Sequence, residues 1–167
     1  LEYFGKSVAT MNDGTRSVVG MGISTHSLKI IRNVYNYAIE QSIADPSTGG
    51  AATLFAASVG ISIDGARLYA TAEGATVGGL TTAGEVHIYT RAGVTWSLEQ
   101  TLQQATPTTA YEFGKDIAWN RTADKMIING YKGAPTYAGT MEYWTRSGTT
   151  WTRQGVITPP SPHTSFV

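Results

Sequence analysis

The chain has 167 residues with 41% apolar side chains, enough for a buried core and about one domain. Only 14% of its residues are charged, against roughly 25% in an average soluble domain, and a formal net charge of zero leaves no electrostatic footprint for nucleic acid or an anionic membrane. Zero cysteines exclude disulfides, thiolate catalysis and cysteine-ligated zinc together, without fixing a compartment. No apolar run approaches the roughly 18 residues of a membrane span, and no signal-peptide pattern follows Leu1. The 19 glycines, with many serines and threonines, suit an all-β chain with frequent turns.

In chain order, the first predicted element is a hairpin, Phe4-Gly5-Lys6-Ser7-Val8-Ala9 to Val18-Val19-Gly20, turning at Asn12-Asp13-Gly14. A strand pair over 28–33 and 37–43 follows. The phrase returns at Phe55-Ala56-Ala57-Ser58-Val59-Gly60, turning at Asp64-Gly65, and again at Phe113-Gly114-Lys115-Asp116-Ile117-Ala118, at intervals of 51 and 58 residues. Asp-Gly between alternating stretches predicts a two-residue type I′ turn, which needs positive φ; the third unit, with Ala123-Asp124-Lys125 there, is expected to turn more loosely. The second half of each unit is strongest at 84–102 and 139–157, where Arg91-Ala92-Gly93 and Arg146-Ser147-Gly148 precede Trp96 and Trp151 as hairpin turns. Polar connectors at 45–50 and 103–109 divide the chain. One repeat domain over 1–167 results, with units of about 1–46, 47–106 and 107–167, each holding about four short antiparallel strands. A repeat of this size cannot bury its apolar face alone.

The phrase Phe-Gly-x-Ser-Val-Ala with a later Asp-Gly-Thr and Val-Val-Gly, followed by Arg-x-Gly-x-x-Trp-x-x-Glu-Gln, resembles FG-GAP-type repeats, those of integrin α-like β-propellers. In its tryptophan-bearing style it is similar to repeats of bacterial surface proteins and phage tail or fibre proteins. The resemblance runs from Phe4 to about Ile157; Ala56 stands where the glycine is expected, and the first unit lacks the tryptophan. It implies an all-β fold of three FG-GAP-like propeller blades. Propellers usually close with about four to eight blades, so three imply part of a larger or oligomeric propeller.

Catalytic and metal constellations are weak. Integrin-type repeats often carry an aspartate-rich calcium loop, but Asp13, Asp64 and Asp124 are single carboxylates at turns, where aspartate serves turn chemistry. No metal or cofactor is carried over. His87 aligns with Lys29 and Glu142, a mixture that predicts a solvated strand face, and no Ser-His-Asp arrangement is suggested. Glu40 and Glu99 recur at matching positions, which favours a structural contact over a glycosidase pair. Trp96, Trp119 and Trp151 read as core. The remaining candidates are Tyr111, Tyr131 and Tyr137, near loops where an exposed ring could stack on a sugar or anchor a protein contact.

The expected function is a non-enzymatic structural or adhesive module on a virion or a cell surface. It would associate with itself or neighbouring structural proteins, or hold a glycan or protein receptor through the loops at 74–84 and 132–139. Neither nucleic acid binding nor membrane insertion is expected. Two alternatives are a glycan-active propeller enzyme and a purely architectural self-assembling protein.

Overall fold

Period-two alternation resolves into twelve strands, and no α-helix occurs among the described residues. The computed structural model describes residues 3–22, 26–33, 36–49, 53–132 and 138–157. The first sheet holds β1 (Tyr3–Thr10), β2 (Arg16–Gly22), β3 (Ser27–Arg32) and β4 (Ala38–Ala44). The second holds β5 (Phe55–Ile61), β6 (Arg67–Ala72), β7 (Glu85–Ala92) and β8 (Thr95–Leu102). The third holds β9 (Ile117–Trp119), β10 (Lys125–Lys132), β11 (Ala138–Ser147) and β12 (Thr150–Ile157). Each is a four-stranded antiparallel meander in chain order.

The inner hairpins differ from the expected type I′ turn, and all three are alike. Met11 and Arg16 bracket a four-residue loop: the Met11 N–H donates to Arg16 O at 2.9 Å and the Gly14 N–H to Met11 O at 2.9 Å. Of that loop only Gly14 has positive φ (+68°), whereas type I′ needs two such residues. Gly65 repeats it at +60°, and Ala123 takes the place at +49° with its N–H donating to Asn120 O at 2.9 Å. So the third turn is not looser. Asn120 Oδ1 accepts the Asp124 and Lys125 amides at 3.1 and 3.0 Å, tying the turn from its first residue. In the other two, Asp13 and Asp64 accept the amides of Thr15 and Ala66, both at 2.9 Å. The outer hairpins are two-residue turns led by Gly93 (φ +63°) and Gly148 (φ +60°), the chemistry of type II′.

The Phe-Gly phrase also has a backbone reason. Gly5, Ala56 and Gly114 all lie in the left-handed region, at +86°, +58° and +90°, and in β1 and β5 this residue falls where the pairing register slips, between Phe4 and Ser7 and between Phe55 and Val59. Ala56 adopts it without being glycine and is fully buried.

Two apolar layers join the three sheets. Val18, Leu28 and Ile30 of the first sheet pack on Phe55, Val59, Leu68, Tyr89 and Trp96 of the second. Tyr69, Val86, Ile88 and Leu102 of the second pack on Phe113, Ile117, Met126, Ile128, Trp144 and Trp151 of the third. The strand registers make these layers equivalent: Leu28, Ile30 and Val18 correspond to Val86, Ile88 and Tyr69, and Phe55, Val59 and Trp96 to Phe113, Ile117 and Trp151. Alternation sends every second residue of a strand to one neighbouring sheet and the rest to the other.

A polar clasp repeats at the outer edge. The Gln41 side chain accepts the Trp96 N–H at 2.7 Å and donates to Trp96 O at 2.9 Å. Gln100 does the same to Trp151, at 2.7 and 3.1 Å. Glu99, which is one residue earlier, holds the Arg146 guanidinium with two bonds at 2.8 and 2.9 Å. Its counterpart Glu40 binds Arg16 within its own sheet at 2.9 Å. The matching glutamates are therefore structural.

Candidate functional site

Tyr111 does not present the exposed ring expected of it. Tyr111 is buried, with its hydroxyl bonded to Thr140 Oγ1 and its ring over Gly130, where any Cβ would collide with it. The expected exposed ring is instead a core group, because the connector carrying it folds under the third sheet. Tyr131 is half-buried, and its N–H donates to Tyr111 O at 2.7 Å. Tyr137 lies outside the described residues. Trp96 and Trp151 are buried, while Trp119 is half-buried with its ring edge-to-face on Tyr69 at 4.9 Å.

His87 also departs from expectation. It is almost fully buried, under Phe55 and the connector from β4, so the position is no solvated face. Its Nε2 lies 2.8 Å from Ser47 Oγ and its Nδ1 3.1 Å from Thr101 Oγ1. A serine beside a histidine nitrogen invites a nucleophilic reading, but the opposite nitrogen meets a threonine hydroxyl and not an orienting carboxylate. Burial drives the imidazole pKa down to about 4, so the ring is neutral near pH 7. The contact of 3.5 Å between Nε2 and Glu85 Oε2 is then no ion pair, and burial raises the Glu85 carboxyl as well. The corresponding Glu142 is buried against Arg153 and accepts the Trp144 indole N–H at 3.2 Å. Lys29 donates to Ser42 Oγ, with no connector over it among the described residues. One position thus carries three chemistries because its surroundings differ from sheet to sheet.

The loop at 74–84 is largely internal. The carbonyls of Thr81, Thr82 and Ala83 accept the amides of Ala110, Glu112 and Phe113 at 2.9, 3.0 and 3.0 Å, and only Gly78, Gly79 and Thr81 are well exposed. The segment 133–137 of the other expected display loop lies outside the described residues.

Where the inner hairpins converge, an open cavity of about 270 Å³ is lined by Thr10, Asn12, Ile61, Ser62, Ile63, Trp119, Asn120 and Arg121. It offers hydroxyls, amides, an indole and one guanidinium, a set able to hydrogen-bond neutral or anionic groups. Among the described residues its lining has no carboxylate and no histidine.

The two end faces are the least satisfied surfaces. Phe4 and Val8 are 63% and 65% exposed, whereas Phe55 and Phe113 are wholly buried and Val59 and Ile117 are each 7% exposed. Tyr37, at the position of Trp96 and Trp151, is 77% exposed. On the far face of the third sheet Tyr143 is half-buried and Ile157 is 49% exposed, against full burial of their counterparts Ile88 and Leu102. Among the described residues, each differs from its buried equivalent in having no sheet over it.

No family model matches the chain, and no curated protein matches it. Solved structures do. A eukaryotic initiation factor superposes with a TM-score of 0.62 at 11% identity, over 93% of this chain and 32% of that one. A Bacteroides uniformis protein described as a 6-phosphogluconolactonase superposes with a TM-score of 0.60 at 14% identity, over 97% of this chain and 43% of that one. At these identities the likeness is one of fold, and the structures include propeller-like folds. The class so defined is an all-β chain of three four-stranded antiparallel sheets, spanning less than half the length of these structures. Neither is described as an FG-GAP protein, so that resemblance rests on the sequence phrases alone.

Proposed function

We propose that the chain is a non-enzymatic structural or adhesive module, three FG-GAP-like blades of a larger or oligomeric propeller. The observation that carries this is the exposure of Phe4, Val8 and Tyr37, whose counterparts form the buried layers between sheets. A face built to be covered, left open at each end, is a face for further sheets. The inter-sheet clasps and the largely internal 74–84 loop also direct the polar side chains to holding sheets together. The setting we propose, from the style of the repeat, is a virion or a cell surface. A glycan or protein partner would contact exposed loop and hairpin tips, with the cavity at the inner hairpins a natural place for it.

Light scattering of the native material beside intact mass spectrometry tests this reading. The expected result is a particle heavier than the 17.8 kDa chain, through either additional covalent sheets or association. A stable 17.8 kDa monomer with no further residues sinks it.

A further inference from the structure

We propose that the two open faces are the two halves of one seam, each covered by a second copy of this chain docked head to tail. This rests on the module reading above and names its partner. The open face of the first sheet presents Phe4, Val8 and Tyr37, the set that elsewhere receives a preceding sheet. The open face of the third sheet presents Tyr143 and Ile157, at the positions of Ile88 and Leu102, which elsewhere cover a following sheet. One end is therefore complementary to the other and not to itself, the condition for a heterologous contact.

The clasp positions point to a second copy as occupant. At both internal junctions a glutamine grips the backbone of a tryptophan. At the ends the glutamine position is Gly155 and the tryptophan position is Tyr37, so both partners have changed. The second polar position changes too. The Glu99–Arg146 ion pair has Gln154 and Asn33 as its end counterparts, two neutral amides in place of two charges. If these ends met sheets carrying the charges of the second junction, the one internal junction where the glutamate reaches across to its neighbour, an incoming arginine would face Gln154 and an incoming glutamate would face Asn33, each without its partner. Meeting each other, the ends leave none. Two copies joined this way give a six-sheet ring with two identical seams, inside the usual range of about four to eight.

Sedimentation and light scattering of the full chain over a concentration series test the seam. The expected mass is twice 17.8 kDa, with dissociation on dilution. Val8→Asp and Ile157→Asp should each yield monomer. Because both side chains are exposed in the single chain, circular dichroism and melting of the monomer should be unchanged. Mixing the two variants should restore the dimer mass, since one seam then has two unaltered faces. Loss of the dimer with only one substitution, or its survival with both, overturns head-to-tail docking. So does a monomer at every concentration. A native polypeptide heavier than 17.8 kDa whose added sheets cover the faces also overturns it, while leaving the module reading standing.

Discussion

Gln100 and Trp151 are joined as two strands would be joined: the amide oxygen of Gln100 accepts the Trp151 N–H at 2.7 Å, and its amide nitrogen donates to Trp151 O at 3.1 Å. A side-chain amide copies the backbone pairing pattern across a gap between sheets that no strand fills. It also satisfies edge backbone groups that would otherwise be left against a buried indole.

Gln100→Ala should destabilise the fold by about 1–3 kcal/mol, the range for stranding buried polar groups. Gln41→Ala should behave similarly. Chemical denaturation followed by tryptophan fluorescence reads both as a lower midpoint with an unchanged slope.

The Glu99–Arg146 pair makes two bonds at an almost dry junction, with side-chain exposures of 3% and 11%. Arg146→Met should cost about 3–5 kcal/mol, because it leaves the carboxylate buried without its partner. Adding Glu99→Gln should return part of that loss. A double-mutant cycle of unfolding free energies measures the coupling.

His87 makes stability depend on pH in a defined direction. Its folded pKa, about 4, lies below the ordinary 6.5, so the unfolded chain binds the proton more readily. Stability from this group is therefore full above pH 6.5 and falls as the pH drops toward 4, by roughly 3 kcal/mol in total. Glu85 and Glu142 act oppositely. Burial raises both carboxyls, so their contribution is present below the ordinary value of 4.5 and lost as pH rises through the folded one. His87→Gln should flatten the decline between pH 6.5 and 4 in thermal melts.

Gly84 has φ +88°, and any Cβ there would meet the backbone of Phe113. Gly84→Ala should destabilise by about 2–4 kcal/mol, combining left-handed strain with a clash against atoms that cannot rotate away. Gly93→Ala, at φ +63° with nothing near the new methyl, should lose only the conformational part, about 1 kcal/mol. Comparing the two melting temperatures separates strain from packing.

The sequence by itself determined the strands, their grouping and much of their ordering. Alternation and turn chemistry act over neighbouring residues, so the strands at 85–92 and 95–102 and the turn at Gly93 were legible from the letters alone. The structural character of Glu99 was legible too, because Glu40 repeats it. Turn type was less so: Asp-Gly suits more than one loop, and the bond from Met11 to Arg16 decided for four residues. Only the tertiary structure decided which polar and aromatic groups are buried. His87 reads like Lys29 and Glu142 until the connector from β4 closes over it, and Tyr111 looks like a loop residue until the third sheet covers it. Phe4 and Phe55 carry the same local phrase, yet one is 63% exposed and the other fully buried. Local pattern selects a strand and its faces, but burial depends on what another sheet, some fifty residues away in the repeat, lays across that face.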